Sequence, residues 1–193
     1  MDALAQWFNA GERQILRREC PRASLVTLPS LEPFLSATPW SMALEGRRVL
    51  VVHPFTATIR RQHRRRTDLW EDGRVLPDFE LLTLRAPLSA GLVPPEHPTW
   101  TDALAALTDR MDALNYDVAI IGAGAFSLPL AVHAKRRGAV GIHLGGAVQI
   151  LWGIIGTRWE EGGFQRFFRE SWVRPGADET PEGVAKIERA AYW

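Results

Sequence analysis

The sequence predicts an α/β domain with a Rossmann-like, largely parallel sheet flanked by helices. Residues 48–53 form a continuous apolar run with polar flanks, as in a strand that is buried on both faces, and residues 117–121 and 140–144 form two further short apolar runs. A proline or a glycine directly follows each run, and segments of helical periodicity separate them. Strands that alternate with helices in this way are typical of a parallel sheet.

The composition is that of one ordinary globular domain. Of 193 residues, 46% are hydrophobic and 23% are charged, which is enough apolar material for a full core. We therefore expect residues 1–193 to form a single domain. Within it, residues 1–47 form an N-terminal segment of helix and loop, and residues 48–193 form the Rossmann-like core.

Several classes of protein are excluded by composition. No apolar run reaches the roughly 18 residues of a membrane-spanning helix, so no membrane span is expected. The N-terminus lacks the features of a signal peptide, which predicts a cytoplasmic location. A single cysteine, Cys20, permits neither an internal disulfide nor a thiolate metal cluster. The net charge of +1 offers no general attraction for nucleic acid, and no such partner is expected.

The first half of the chain is predicted to contain two helices and three strands. Apolar residues at helical spacing indicate a helix over residues 3–18, with Gly11 as a flaw in it. The remaining elements, in order, are a short strand at 23–28, a buried strand at 48–53, a helix at 56–66 and a strand at 77–84.

The second half begins with a loop rich in proline and glycine at residues 86–98. Thr99 or Thr101 can cap a helix that reaches Leu114. The strand at 117–121 then leads through a glycine turn into a helix that ends at Arg137, where Gly138 stops it. A strand at 140–144 and a further apolar helical segment complete the predicted core.

The predicted functional site lies beyond the carboxyl ends of these strands, where open parallel sheets bind their ligands. Glycines at such ends let a ligand approach the backbone, and the helix N-termini behind them suit phosphate. The alternative is that the glycines only form tight turns. A nicotinamide cofactor is disfavoured because the G-x-G-x-x-G fingerprint fails at Ser127.

Two histidines and an arginine run are further candidates for chemistry. His53 and His143 both end predicted strands, where an imidazole can act as a general base near neutral pH. Each of them can equally be a structural histidine. The arginine run at residues 60–66 could bind nucleic acid or a diphosphate, although such a run more often forms a solvated helix face and this one lacks the interleaved aromatic residues of single-strand binding.

Several segments resemble a bacterial family that is found with surface-polysaccharide genes and is related to GT-D-type glycosyltransferases. The resemblance is carried by residues 49–55, 117–138, 141–159 and 172–175 and by the closing Tyr192-Trp193. It implies a domain that takes a nucleotide-sugar donor, with a divalent metal, Mn or Mg, as a candidate cofactor. Longer relatives carry an N-terminal acidic motif, of which this chain has only Gly11-Glu12-Arg13 in its first fifty residues.

Glycosyl transfer requires stabilisation of the leaving diphosphate and deprotonation of the acceptor hydroxyl. For the base we assign His53 or His143. The predicted binding residues are Gly122, Gly124, Ser127, Gly145, Gly146, Gln149, Arg158 and Trp159. Trp172 is a second candidate for stacking, although either tryptophan could instead belong to the core.

Three functions remain open from the sequence. The first is a glycosyltransferase-like protein that passes a sugar from a nucleotide-sugar to a glycan or small-molecule acceptor. The second is a non-catalytic module that binds a nucleotide-sugar or supports assembly, and the third is a different small-molecule enzyme on the same scaffold. The partner in each case is a phosphate-bearing small molecule, and the oligomeric state is left open.

Overall fold

A computed structural model describes residues 1–88, 94–186 and 188–193 of the chain. Six strands and five α-helices occur in the described residues. In chain order they are β1 (Ala3–Gln6), α1 (Glu12–Glu19), β2 (Ser24–Thr27), β3 (Arg48–His53), α2 (Thr56–His63), β4 (Glu80–Arg85), α3 (Trp100–Asp112), β5 (Val118–Ile121), α4 (Ser127–Arg136), β6 (Val140–His143) and α5 (Ala147–Leu151).

The predicted α/β class is confirmed by a four-stranded parallel sheet in the order β4-β3-β5-β6. The chain moves from β3 outward to β4, then returns to the other side of β3 to add β5 and β6. The direction of winding therefore reverses between β3 and β5. In a doubly wound sheet this topological switch point is where a crevice opens beyond the strand ends.

Apolar residues cover both faces of the sheet. One face packs Val49, Val51 and Ile120 against α2, α5 and the C-terminal part of the chain. The other packs Val52 and Ile121 against α3 and α4. We call these the α2/α5 face and the α3/α4 face. Burial on both sides explains why the central strands are continuous apolar runs rather than alternating ones.

Two local features fix the sheet. At the start of β3, the guanidinium of Arg48 binds both carboxylate oxygens of Asp117, and its backbone N–H donates to the same carboxylate. These bonds lower the pKa of Asp117 to about 2. In β6, a Cβ added at Gly141 would lie only 2.1 Å from the carbonyl oxygen of Ala131. Only glycine therefore lets α4 lie this close to the edge strand.

The prediction of one helix over residues 3–18 is wrong in its first part. Residues Ala3–Gln6 form a strand that pairs in parallel with Ser24–Thr27, and the helix begins only at Glu12. Gly11, which the sequence marks as a flaw, has a φ of 81° and precedes the helix. Strand pairing thus overrides the helical spacing of the apolar residues. We call β1, α1 and β2 the N-terminal unit.

The remaining predicted elements are confirmed with shifts of a few residues at their ends. Thr99 caps α3 by accepting the N–H of Asp102, and Gly138 follows α4 with a φ of 85°. Part of the predicted loop at 86–98, residues 89–93, lies outside the described residues. Among the described residues, no helix is long and apolar enough to cross a membrane.

Candidate functional site

The structure brings the three predicted strand ends to one edge of the sheet, which we call the carboxyl edge. β5 lies between β3 and β6, and all three strands are parallel. In register, Val52 pairs with Ile121 and Ile121 pairs with His143, so His53 lies one residue beyond that row. The two histidines thus end strands that are about 10 Å apart, as two strand spacings require.

The same register directs the two imidazoles to opposite faces. His53 follows Val49 and Val51 at two-residue spacing, which places it on the α2/α5 face. His143 follows Gly141 at the same spacing, and Gly141 faces Ala131 of α4. The two side chains therefore cannot share one ligand atom as a pair of bases.

His143 lies at the beginning of α4. Two residues extend a strand by about 6.6 Å. About four residues extend an α-helix by a similar length, about 6 Å. Counting from Ala131 toward the N-terminus, this puts the imidazole level with Ser127, the first residue of α4. His143 is exposed, and partial desolvation of its ring lowers the pKa of His143 below the ordinary value. The imidazole is therefore neutral at pH 7 and can accept a proton.

His53 is buried at the switch point. Its Nδ1 accepts the backbone N–H of Phe55 at 3.0 Å, and its ring packs against the Phe55 ring. Burial lowers the pKa of His53 to about 3. Because Nδ1 is already an acceptor and the ring is enclosed, the geometry favours a structural role for His53. Its assignment as a base stays a prediction that the geometry disfavours.

The turn from β5 into α4, residues 122–126, we call the glycine turn. Its first residue is buried: the N–H of Gly122 donates to Val52, and an added Cβ would meet the carbonyl oxygen of Gly145 at 2.6 Å. Gly122 therefore serves close packing. Ser127 is also buried, and its Oγ accepts the N–H of Ala123 at 2.8 Å.

The exposed part of the glycine turn consists of Gly124 and Ala125. Gly124 has a φ of 55°, and nothing lies within 4 Å of a Cβ added to it. The first N–H groups of a helical segment have no acceptor within it, so they are available to a ligand. Of the three residues predicted to hold phosphate, only Gly124 is open to solvent.

Next to the glycine turn lies a cleft of about 160 Å³, which we call the aromatic cleft. Trp100 and Phe126 form part of its wall, and their rings are stacked with a centroid distance of 5.4 Å, which lies in the usual range for aromatic pairs. Trp100 remains 45% exposed. Pro87, Pro95 and Pro98 also line it. None of the residues predicted for the site lines this cleft, although its prolines and Trp100 are visible in the sequence.

A second group of predicted residues surrounds Tyr192 on the α2/α5 face. Gln149 is buried and donates to the carbonyl oxygen of Tyr192 at 2.7 Å. Arg158 donates to the Tyr192 hydroxyl at 2.6 Å and lies over its ring. Gly146 packs beneath Trp159 and Tyr192. The structure thus brings Gly146, Gln149, Arg158 and Trp159 together, but around the chain itself.

Gly145 and Trp172 also have structural environments. Gly145 has a φ of 62° in the turn after β6, and the carbonyl oxygen of Ile121 accepts its N–H. Trp172 is buried in the core, where its Nε1 donates to Leu69. This is the core position that the sequence analysis left open as an alternative.

Residues that the sequence analysis missed close the α2/α5 face of the carboxyl edge. The carboxylate of Glu179 accepts the N–H groups of Ala57 and Thr58 at the N-terminus of α2, and also the Thr58 hydroxyl. Trp193 packs on Phe55, and its Nε1 donates to the carbonyl of Glu179. The anion-binding end of α2 is therefore already occupied by a carboxylate of the chain.

The arginine run at residues 60–66 helps to hold this closure. Arg65 donates to the carbonyl oxygen of Ser171, and Arg61 donates to the Thr58 hydroxyl. Arg60 and Arg66 instead bind Thr83 and Asp78. These contacts indicate that most of the run ties α2 to neighbouring parts of the fold.

Comparison with protein-family models, with curated proteins and with solved structures finds no match to this chain. The resemblance to the GT-D-related family therefore stays a prediction.

Proposed function

We propose that the chain is a glycosyltransferase-like protein that binds a nucleotide-activated sugar at the carboxyl edge, on the α3/α4 face. One observation carries this proposal. The exposed imidazole of His143 lies on the face of the sheet that α4 covers, and the turn that leads into α4 contains the open residues Gly124 and Ala125. A phosphate-binding turn and a proton acceptor would thus lie on the same face of the carboxyl edge.

The aromatic cleft supports the same function by offering room for the nucleoside. With the diphosphate on the glycine turn, the base would extend along the cleft wall formed by Trp100 and Phe126. Aromatic side chains bind bases by stacking, without need of a particular hydrogen-bond pattern.

In the proposed reaction an acceptor hydroxyl attacks the anomeric carbon of the donor sugar. The new C–O bond forms as the bond from that carbon to the diphosphate oxygen breaks, and the hydroxyl proton passes to the imidazole of His143. The N–H groups at Gly124 and Ala125 would stabilise the charge that develops on the leaving diphosphate. Arg158 is held on Tyr192 on the other face and takes no part in this scheme.

The described residues do not fit a divalent ion held by the protein. No group of three or more metal-ligating side chains occurs among them. Glu12, the remnant of the expected acidic motif, is hydrogen-bonded to the N–H groups of Trp7 and Asn9. The proposed reaction therefore uses no protein-bound Mn or Mg ion.

A non-catalytic binding module is the second candidate, and a specific observation favours it. His53 is enclosed, while Gln149 and Arg158 hold Tyr192. Among the assigned residues, only His143 then remains as a base. Binding of a nucleotide-sugar needs no base, whereas transfer of the sugar would depend on this single histidine.

Thermal unfolding with a panel of nucleosides, nucleoside diphosphates and nucleoside diphosphate sugars tests the proposal. A ligand at a hundred times its Kd stabilises the native state by about 2.7 kcal/mol, which raises Tm by roughly 5–10 °C for a chain of this size. We expect diphosphate sugars to stabilise more than nucleosides. The absence of a shift with every compound would contradict the proposal.

Turnover distinguishes the two candidates. Release of free nucleoside diphosphate from a stabilising donor, in the presence of an acceptor mixture, identifies a transferase. Binding without release under the same conditions identifies the binding module.

A further inference from the structure

Two adjacent aromatic side chains of the N-terminal unit are largely exposed to solvent. Trp7 is 71% exposed and Phe8 is 70% exposed. They lie in the turn between β1 and α1, and we call them the aromatic tip. Ile15 on α1 is exposed as well. Clustered large apolar residues in contact with water mark an interaction surface.

The turn holds the aromatic tip in a fixed conformation. The carboxylate of Glu12 accepts the N–H groups of Trp7 and Asn9, both at 2.9 Å, and so brackets Phe8. Phe8 itself has a φ of 60°, a left-handed conformation that bulky residues rarely adopt. Backbone strain of this kind persists where its surroundings impose it, and it is frequent at functional positions.

The acidic groups of the N-terminal unit are already engaged. Asp2 pairs with Lys135 on α4, Glu19 pairs with Arg18, and Glu12 binds the backbone of the turn. Partner cations offset the charges of Asp2 and Glu19, whereas Glu12 keeps its charge and directs it at the backbone N–H groups of the turn.

The basic groups of the unit are in excess. Arg13, Arg17 and Arg22 are exposed, and none of them forms an ion pair among the described residues. Arg13 and Arg17 are four residues apart and so lie on one side of α1. Exposed guanidinium groups that form no ion pair among the described residues thus belong to the same unit as the aromatic tip.

We propose that the aromatic tip docks the protein on an anionic membrane surface. Trp and Phe would enter the boundary between headgroups and acyl chains, where aromatic side chains are favoured. The arginines would attract the anionic headgroups, with a contribution that salt screens. The inference does not depend on the ligand proposed for the carboxyl edge.

Co-sedimentation of the full chain with lipid vesicles tests this docking. We expect binding to vesicles that contain phosphatidylglycerol and much weaker binding to phosphatidylcholine alone. The double variant Trp7→Ala/Phe8→Ala should weaken binding by at least about tenfold. Arg13→Gln/Arg17→Gln should weaken it by about fivefold per arginine and flatten its salt dependence.

A matched control removes another exposed tryptophan. Trp100→Ala, in the aromatic cleft, should bind vesicles as the wild type does. Failure of the wild type to bind anionic vesicles would overturn the proposal, and so would equal losses in Trp100→Ala and Trp7→Ala/Phe8→Ala. Sedimentation equilibrium completes the test: self-association that the tip variant abolishes, without vesicle binding, would identify a second copy as the occupant and overturn the membrane proposal.

Discussion

Replacing Glu179 tests how the C-terminal part of the chain closes the α2/α5 face. Its buried carboxylate accepts hydrogen bonds at 2.7 Å from Ala57 N–H, at 3.1 Å from Thr58 N–H and at 2.5 Å from the Thr58 hydroxyl. In Glu179→Ala the two backbone donors lose their acceptor in a buried position. They also lose a negative charge at the N-terminus of α2, where the helix dipole favours one.

The size of the effect follows from these contacts. Each unsatisfied buried donor costs about 1–3 kcal/mol, so we expect Glu179→Ala to lower the free energy of unfolding by about 3–4 kcal/mol. For a chain of this size that is a fall in Tm of roughly 6–15 °C. Glu179→Gln keeps an acceptor but removes the charge and places an amide N–H₂ near the donors, and should cost about 2 kcal/mol.

Urea unfolding followed by circular dichroism measures these differences, with calorimetry as a second readout. Glu182→Ala is the matched control, because Glu182 belongs to the same segment and is exposed. It should stay within about 0.5 kcal/mol of the wild type. If Glu179→Ala unfolds as the control does, the carboxylate does not hold α2 and the described closure is incorrect.

Three further predictions concern the sheet and its carboxyl edge. Gly141→Ala should lower the urea midpoint strongly, because the added Cβ would lie 2.1 Å from the carbonyl oxygen of Ala131. The control Gly73→Ala should unfold close to the wild type, because nothing lies within 4 Å of its added Cβ. Equal midpoints for the two variants would contradict the described packing of α4 on β6. Because the pKa of His53 is lowered to about 3, the unfolded chain binds a proton below pH 6.5 that the folded chain does not bind. The contribution of neutral His53 to stability should therefore be fully present above pH 6.5 and be lost as the pH falls toward 3. Measured by urea unfolding at several pH values, His53→Leu should flatten this decline, and an unchanged slope would refute the assignment. His143→Asn should abolish donor-sugar consumption with little change in Tm, whereas full activity in the variant would remove His143 as the base.

The two central strands of the sheet, β3 and β5, could be predicted because they are buried on both faces. Val49, Val51 and Ile120 pack in one core layer and Val52 and Ile121 in the other, so the sequence shows each strand as a continuous apolar run. The glycine that follows β5 is also visible as a turn. Local composition is sufficient here because burial and chain reversal are local properties.

The beginning of the chain could not be predicted in the same way. Leu4 and Trp7 fit a helical spacing with Ile15, yet Leu4 belongs to a strand that pairs with β2 across the intervening helix. Pairing partners 21 residues apart leave no periodic signal in either segment. The sequence therefore predicts that the aromatic tip belongs to a helix, whereas the structure places it in an exposed turn.

The sequence could predict that the candidate residues share one edge of the sheet, but not how they divide between its two faces. The shared edge follows from parallel strands, whereas the separation of His53 and His143 to opposite faces depends on the register. The role of Glu179 depends on a contact across 122 residues of chain. Such contacts are decided by tertiary packing, which one sequence does not display.

The most direct test of the proposed site is a calorimetric titration that compares two glycine substitutions. Gly124→Val and Gly138→Val both place a side chain at an exposed position of positive φ with nothing within 4 Å, at opposite ends of the segment that contains α4. Each should cost about 1–2 kcal/mol of stability through backbone strain. The titrant is the nucleoside diphosphate sugar that raises Tm most in the thermal-unfolding panel. We predict that Gly124→Val weakens its binding at least about tenfold while Gly138→Val binds as the wild type does. Wild-type affinity in a folded Gly124→Val variant would contradict the proposal that the glycine turn holds the diphosphate.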